Sequence, residues 1–169
     1  CYRHTQKNYF KGICTATDGH VGKSNFDWMI DFHGGDHENL TFANLLINAN
    51  YSRFIEELVP LLEKREIIYV VNELANTDNL PFNISKKFVI GSNCMINNYD
   101  TSEKVKNYIK DNNIADAIVL CSAASLSNFV IHDCYKENSN NTFLDIGSCL
   151  NVELERENSD WNPDWLEIL

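Results

Sequence analysis

The sequence has no run of about 18 apolar residues, so it predicts no membrane-spanning helix. It also lacks the basic, apolar and small-residue series of a signal peptide, and it begins at Cys1 rather than Met. We therefore expect a segment of a longer polypeptide that carries additional domains. The 169 residues are enough for one domain, residues 1–169, that buries a core of its own.

Basic residues are scarce, with 14 Lys and Arg against 24 Asp and Glu and a net charge of -10. A general nucleic-acid binder needs Lys and Arg to replace the counterions of the phosphates, so we exclude nucleic acid as a general partner. A local phosphate site in so acidic a chain would use a divalent cation and backbone amides rather than a wide basic surface.

The six cysteines include no Cys-x-x-Cys pair and no compact disulfide framework. This pattern favours reduced thiols and a cytoplasmic protein. Four Asn-x-Ser/Thr matches leave the alternative of a secreted glycoprotein domain open, although such matches arise easily in a chain rich in Asn. The matches begin at Asn39, Asn50, Asn83 and Asn140.

A phosphate loop of the Walker type is missing too. The stretch "GHVGKS" would need a glycine five places before Gly22, where Thr17 stands. Residues 1–26 have no sustained period and are predicted to form an irregular arm with at most a short strand. Residues 157–169 are predicted to be an acidic, aromatic tail.

Apolar patterns fill the rest of the chain. "FDWMIDF", residues 26–32, resembles a strand, and Phe42, Leu45 and Leu46 have helical spacing. A second helix is predicted around residues 52–65, with Ser52 as a cap and a kink at Pro60. Four β-branched runs are typical of strands buried on both faces, and helical patterns lie between them. The strands are 67–71, 87–93, 116–123 and 142–148, and the helices are 101–112 and 124–132.

The alternation of strand and helix predicts an α/β fold, Rossmann-like, with a mainly parallel sheet and helices on both faces. In such sheets ligands bind beyond the carboxyl ends of the strands, where loops diverge and helices begin. That rule selects five loops as candidate ligand sites. They are His33 to Glu38, Glu73 to Asn76, Gly91 to Cys94, Ser122 to Ser125 and Asp145 to Cys149.

An acid pair lies in the first of these loops. Asp36 and Glu38 are separated by one residue, so in an extended segment both carboxylates project to the same side. Two such oxygens can hold Mg²⁺ or Mn²⁺ while the ion keeps positions for a diphosphate. Gly34 and Gly35 would let the chain turn tightly before the pair. The alternative is a solvated polar turn.

Five segments together resemble the glycosyltransferases of the GT-D fold. They are "GGDHE", "YSRFIEELVPLLEKREIIYVV", "KKFVIGSN", "DAIVLCSAASLSNFVI" and "TFLDIGSCLNVELE", from about residue 30 to residue 156. The family signature is approximately Gly-Asp-Gly-Glu, and the resemblance extends to the late strand end Asp-Ile-Gly. It implies a GT-D type of α/β fold and a metal-dependent hexosyl- or deoxyhexosyltransferase.

The resemblance implies that Asp36 and Glu38 bind Mn²⁺ or Mg²⁺ together with a nucleotide-diphosphate sugar, UDP-linked, whose sugar passes to a glycan acceptor. Asp145 matches the first residue of the late Asp-Ile-Gly. There are departures from the family pattern. His37 replaces the usual glycine, Ser148 stands where many members have His, and "CSAASLSNF" lacks the glycine and proline that commonly follow the serine.

The remaining site residues follow from the loop rule. For the phosphates or the nucleoside of the donor we predict backbone amides at helix starts and small polar side chains. These residues are Gly91, Ser92, Asn93 and Ser122. Gly34 and Gly35 are also predicted to contact the donor. The base that takes the proton of the acceptor hydroxyl is predicted to be Asp145, Glu73 or His37.

Two other functions stay open. "FLDIGS" resembles the strand and acidic residue that open an S-adenosylmethionine site, although such motifs normally stand early in a domain and continue with more glycines. The non-enzymatic alternative is an α/β module that binds a nucleotide without catalysis.

Overall fold

The computed structural model describes residues 6–17, 22–35, 38–47 and 50–151. The chain divides into two compact units, an N-terminal unit, Cys1–Asn50, and a C-terminal unit, Tyr51–Leu169. Each unit is described by itself. None of the helices in the described residues is long and apolar enough to cross a membrane.

In its described residues, the N-terminal unit contains two short parallel strands and one helix. Strand β1, Lys11–Ile13, pairs with strand β2, Leu40–Phe42, and helix α1, Gly22–Phe32, lies between them in the sequence. A Cβ on Gly12 would come within 3.0 Å of the Cα of Ala43, so glycine permits this close approach of the backbones. The short strand expected in the N-terminal arm is therefore present.

The predicted strand at residues 26–32 is wrong, because these residues belong to α1. Phe26, Met29, Ile30 and His33 have the i, i+3, i+4, i+7 spacing of a helix, which the alternation in "FDWMIDF" obscured. The glycines that follow end the helix rather than a strand.

The helix end is a Schellman motif. The Gly35 amide donates to the Ile30 carbonyl at 2.9 Å and the Gly34 amide donates to the Asp31 carbonyl at 3.0 Å. Gly34 has a φ of 78°, the left-handed conformation that this position of the motif requires. A pair of glycines after a helical pattern is thus a stop signal for α1.

The helix predicted around Phe42, Leu45 and Leu46 is also wrong. Residues 40–42 form β2, and residues 43–47 form turns. Leu40, Thr41 and Phe42 extend along β1, so the backbone of this segment finds its hydrogen-bond partners in a neighbouring strand. Three apolar residues were too few to distinguish a helix from a short strand followed by a turn.

The C-terminal unit begins with the predicted second helix. It consists of α2, Tyr51–Arg53, a π-helical stretch, Phe54–Leu58, and α3, Val59–Leu62. Ser52 lies inside the first helical turn, so its prediction as a cap is wrong. Pro60 cannot donate a backbone hydrogen bond and its ring crowds the preceding turn. The helix widens into a π-helical turn before Pro60, in which the Val59 amide donates to the Phe54 carbonyl five residues back.

Four parallel strands then form the sheet of this unit, in the order β4-β3-β5-β6. Three helices connect them. In chain order the elements are β3 Ile67–Asn72, β4 Ile84–Ile90, α4 Cys94–Asn97, α5 Thr101–Asp111, β5 Ile118–Cys121, α6 Ser125–Glu137 and β6 Thr142–Asp145. The predicted α/β fold with a parallel sheet flanked by helices is confirmed, and α4 is an addition that the sequence did not suggest.

The core of the unit lies between α5, α6 and the central strands. Val105 of α5 and Leu126 and Val130 of α6 are fully buried against Val70 and Val119. All four strands were predicted to be buried on both faces. This prediction is confirmed for β3 and β5, and it is wrong for the edge strands β4 and β6, which are partly exposed.

Candidate functional site

The order of the strands defines a switch point in the sheet. From β3 the chain moves outward to β4, and it then returns across β3 to place β5 on the other side. Ligands of open α/β sheets bind outside the carboxyl ends of the strands at the point where the direction of winding reverses. In this unit that point lies between β3 and β5.

A cavity of about 440 Å³ lies at this position and is here named the carboxyl-edge cavity. Its volume falls within the range of about 300–1,000 Å³ that is typical of small-molecule sites. All of its lining residues follow or end a strand of the sheet. They are Val71, Asn72, Ile90, Gly91, Ser92, Asn93, Cys94, Ser122, Ala123, Ala124, Gly147, Ser148 and Asn151.

The wall formed by β3 and β4 is fixed by hydrogen bonds between the two strand ends. The Glu73 amide donates to the Ile90 carbonyl at 2.8 Å, and the Gly91 amide donates to Asn98 Oδ1 at 3.0 Å. A Cβ on Gly91 would lie 3.2 Å from Glu73 Oε1, so the carboxylate of Glu73 stands beside this glycine. Asn72 Oδ1 accepts a hydrogen bond from the Leu74 amide at 2.9 Å, so its Nδ2 remains as a donor.

The opposite wall is the turn from β5 to α6. Ser122 Oγ lies 2.9 Å from the hydroxyl of the buried Tyr69, which holds the serine side chain in place. The Ala123 amide donates to Ser127 Oγ at 3.1 Å. Ala124, at the N-cap of α6, has a φ of 46° and a ψ of −134°, a conformation found almost only in glycine. This strained turn brings the backbone of the helix start to the cavity.

Asp145 lies at the end of β6, two residues before the cavity-lining Gly147. Its Oδ1 accepts a hydrogen bond from the Gly147 amide at 3.1 Å. Loss of solvation raises the pKa of the Asp145 carboxyl, and the hydrogen bonds from Gly147 and Ser127 only partly offset this effect. Gly147 itself has a φ of 50°, so the turn after β6 needs a residue that tolerates the left-handed region.

The structure brings together four of the six residues that were predicted to contact the donor, whereas Gly34 and Gly35 belong to the N-terminal unit and do not line the cavity. Gly91, Ser92, Asn93 and Ser122 all line the carboxyl-edge cavity. The two described candidate bases adjoin it in the sequence and in space. Glu73 follows the lining residue Asn72 and stands beside Gly91, and Asp145 is bonded to the lining residue Gly147.

The acid-pair loop belongs to the N-terminal unit, and it follows a helix instead of a strand. The strand-end rule therefore selected His33 to Glu38 wrongly, whatever function these residues have. Gly34 and Gly35 both have positive φ and make the predicted tight turn. Glu38 is exposed, which both a metal ligand and the alternative of a solvated polar turn allow, and Asp36 and His37 lie outside the described residues.

No three side chains of His, Cys, Asp and Glu lie close enough together to hold one metal ion within residues 6–17, 22–35, 38–47 and 50–151. The predicted arrangement uses two protein carboxylates and completes the coordination of Mn²⁺ or Mg²⁺ with diphosphate oxygens. Of that pair, only Glu38 belongs to the described part of the chain.

Some lining residues were not predicted individually. Asn72 was missed because the predicted strand ended at residue 71, although an Asn directly after a buried run is a usable signal of a strand end. Ala124, Gly147 and Ser148 lay within the selected loops but were not predicted to contact the donor. Asn151 carried no signal, since it falls outside every predicted element and loop.

Fold and cavity together define an α/β protein with a candidate small-molecule site at the switch point of a parallel sheet. Comparison of the chain with protein-family models, with curated proteins and with solved structures finds no match.

Proposed function

We propose that the protein is a metal-dependent glycosyltransferase, which transfers a hexose or deoxyhexose from a nucleotide-diphosphate sugar, UDP-linked, to a glycan acceptor. One observation carries the proposal. Four of the six residues that the sequence assigned to the donor, Gly91, Ser92, Asn93 and Ser122, line one cavity at the switch point of the sheet. The resemblance to the GT-D family gives the reaction, and the cavity gives a place for the donor.

In this proposal Asp36 and Glu38 are the ligands of Mn²⁺ or Mg²⁺. The ion, when bound, neutralises the charge that grows on the diphosphate as the bond to the sugar breaks. The exposed carboxylate of Glu38 is accessible to such an ion. The proposal also includes a cytoplasmic location, which the free state of the five described cysteines favours.

Asp145 is our first choice for the base that takes the proton of the acceptor hydroxyl. Its raised pKa makes its carboxylate a better proton acceptor than an ordinary aspartate. Its carboxylate is also oriented, because the Gly147 amide holds Oδ1. Glu73 is the second choice, since its carboxylate stands beside Gly91 at the other wall of the cavity. His37 remains the third candidate.

The proposal is tested by thermal unfolding with a panel of nucleotide sugars, with Mn²⁺, and with both. We expect one donor and Mn²⁺ together to raise the melting temperature by more than the sum of their separate effects, since each then binds the folded state more tightly. The same donor should be hydrolysed slowly without an acceptor. Additive effects of all donors and Mn²⁺, with no hydrolysis, would contradict the proposal.

Two substitutions then test the acid pair. Asp36→Asn and Glu38→Gln keep the size of each side chain and remove a charged ligand, so we expect each to abolish the cooperative effect of Mn²⁺. Glu63→Gln is the matched control, because Glu63 is an exposed glutamate of the C-terminal unit outside the proposed site. Unchanged cooperativity in both site variants would show that the metal ligands lie elsewhere.

A second candidate is a nucleotide-binding module without catalysis. It is favoured by the cavity lining, in which the described residues include no acidic or basic side chain. The two functions differ in one readout. A module would bind the nucleotide and the nucleotide sugar equally, and it would leave the donor intact over many hours with Mn²⁺ present.

A further inference from the structure

Strand β4 lies at one edge of the sheet, and among the described strands it pairs with β3 alone. The Ile90 carbonyl accepts a hydrogen bond from the Glu73 amide, which directly follows β3, so the backbone groups of Ile90 are directed to β3. Backbone groups of successive strand residues point alternately to the two sides, so those of Val89 and Lys87 are directed outward. An edge of this kind can pair with a further strand.

The two faces of β4 carry different side chains. Phe88 and Ile90 lie on the face of α5, where the Phe88 and Tyr108 rings meet with their centroids 5.7 Å apart. Lys87 and Val89 lie on the other face and are exposed, Val89 to 51%. From its carboxyl end, β4 therefore alternates between an apolar face beside a helix and an exposed face that carries a lysine.

The lysines of β4 provide positive charge at this edge of an acidic chain. Among the described residues, Lys86 and Lys87 form no ion pair. Lys86 Nζ lies over the rings of Phe88 and Tyr108, and Lys87 Nζ donates to Thr77 Oγ1 at 3.1 Å, which leaves two of its three donors. Lysines also oppose the pairing of β4 with a second β4, since like charges repel across strands. The edge therefore favours an acidic strand.

The chain itself supplies acidic residues close to this edge. Asn151, the last described residue, lines the carboxyl-edge cavity together with Gly91, which directly follows β4. Residues 152–169, which include the predicted acidic, aromatic tail, lie outside the described residues, and they contain six acidic residues and one basic residue. This segment therefore starts beside the carboxyl end of β4, from which it can run along the strand in the antiparallel direction.

The first residues of the segment match the alternation of β4. Residues 152–155 have the sequence Val-Glu-Leu-Glu, with the period of two that is typical of a strand. In an antiparallel pairing that starts opposite Ile90, the apolar side chains lie beside Ile90 and Phe88, and the glutamates lie on the face of Lys87. A shift by one residue would reverse this arrangement and put a glutamate beside the Phe88 ring.

From the open edge of β4, its charge and the position of Asn151, we infer that residues 152–155 add to β4 as an antiparallel edge strand of the sheet. Glu155 then lies opposite Lys87, and Leu154 lies opposite Phe88. The inference is independent of the proposed function. Its consequence for the site is that pairing with β4 holds the side of the cavity formed by Asn151 in place.

The first test is hydrogen exchange of the β4 amides in the intact chain, read by NMR. The Phe88 and Ile90 amides are directed to β3 and serve as the internal reference for protection. We expect the Lys87 and Val89 amides to exchange at least about a hundredfold more slowly than in an unstructured peptide, because both are paired. Exchange of these two amides at the unstructured rate, beside protected Phe88 and Ile90, overturns the inference.

A matched pair of variants identifies the segment that protects the edge. Glu155→Pro removes the amide that pairs with Lys87, so it should accelerate the exchange of the Lys87 and Val89 amides by about tenfold or more. Glu167→Pro makes the same change later in the tail and should alter their exchange by less than about twofold. Unaltered protection in Glu155→Pro would mean that another segment covers β4, and it overturns the inference.

Exchange of charges tests the pairing of Glu155 with Lys87. Lys87→Glu and Glu155→Lys each put like charges opposite each other, so each should accelerate the exchange of the Val89 amide by about two- to fivefold. The double variant should return the rate to within about twofold of the parent. Glu155→Lys combined with Lys64→Glu, at an exposed lysine outside β4, is the control and should keep the faster exchange. Equal rates in the two double variants contradict this pairing.

Protein concentration distinguishes a segment of the same chain from one of a second copy. Pairing within one chain gives protection that is independent of concentration, in a protein that light scattering shows to be a monomer. Protection of Lys87 and Val89 that is lost when a dimer dissociates on dilution would show that a second copy supplies the strand, and it overturns the inference.

Discussion

At the scale of single residues, Asp145 affects the stability of the fold through its pKa, and it is also the proposed base of the site. Loss of solvation raises the pKa of its carboxyl above the ordinary value of 3.8. The folded state therefore holds the proton more tightly than the unfolded state, and stability falls as the pH rises through the interval above 3.8. Under the proposed function, the base is therefore a group whose ionised form lowers the stability of the fold.

The first prediction concerns Asp145→Asn. The amide keeps an oxygen for the Gly147 amide and has no charge to desolvate, so the variant should be more stable than the parent at neutral pH. The gain should shrink to nothing below the ordinary pKa of aspartate, where the parent is protonated in both states. Melting temperatures across the acid and neutral range give the measurement.

Turnover separates the two roles of this residue. Under the proposed function, Asp145→Asn should lower the rate of sugar transfer and keep the donor affinity within about twofold of the parent, since that proposal assigns donor binding to other residues. A gain in stability over the parent that is no larger at neutral pH than in acid would contradict the assigned cause of the pKa shift.

The second prediction concerns the strained turn before α6. Ala124 has a φ of 46°, which costs an alanine on the order of 1–3 kcal/mol relative to an ordinary conformation. Ala124→Gly should remove most of this cost and stabilise the chain by about 1 kcal/mol, after allowance for the greater freedom of glycine when unfolded. Urea denaturation measures the change.

A glycine substitution at an alanine with an ordinary backbone conformation serves as the control for Ala124→Gly. Ala117→Gly, at a buried alanine before β5 without positive φ, should destabilise the chain. Equal destabilisation by both glycine substitutions would mean that the turn at Ala124 is not strained.

At the scale of helices and strands, the fold was predictable where the apolar pattern had a single meaning. The β-branched runs of β3 and β5 lie in the centre of the sheet and are buried on both faces, so their sequence has no other stable placement. The helices α5 and α6 were predicted for a similar reason, because Val105, Ile109, Leu126 and Val130 repeat at helical spacing.

The N-terminal segment could not be assigned in this way. Residues 22–32 satisfy a helical period and also a rough alternation, and α1 has no buried residue that would have made one period dominate. The deciding signal was Gly34 and Gly35, which were interpreted as a turn for a ligand rather than as the end of a helix.

The third prediction tests that helix end. Gly34→Ala places a side chain at a φ of 78°, so it should destabilise the C-terminal turn of α1 by about 1–2 kcal/mol. Hydrogen exchange of the α1 amides should then accelerate by about five- to thirtyfold. Ser24→Ala, at an exposed position of the same helix, should change the exchange by less than about twofold.

Unaltered exchange in Gly34→Ala would contradict the Schellman motif, because a strand or an open loop has no need of a left-handed residue at this point. The same result would remove the physical reason for the correction of the strand predicted at residues 26–32.

At the scale of the whole molecule, the class of fold followed from the alternation of strands and helices, and the position of the candidate site followed from the class. The strand order β4-β3-β5-β6 did not follow from the sequence, because a short buried run does not indicate which strands pair with it. The chain divides into two compact units. The expected single domain, residues 1–169, stays a prediction.

The candidate site was therefore predictable in part. Gly91, Ser92, Asn93 and Ser122 could be selected because each follows a strand of one parallel sheet, whose carboxyl ends share an edge. The same rule failed for the acid pair, since it depended on a strand at residues 26–32 that is a helix. The metal assignment stays a prediction that rests on the family resemblance alone.

The central claim is that the carboxyl-edge cavity binds the nucleotide of the donor. It is tested most directly by a titration of the ¹⁵N-labelled chain with the nucleotide that stabilises it best, with Mg²⁺, followed by NMR. We predict the largest shifts at the amides of Gly91, Ser92, Ser122 and Gly147, which surround the cavity. Saturating binding that leaves these four amides unshifted, while others move, would contradict the account.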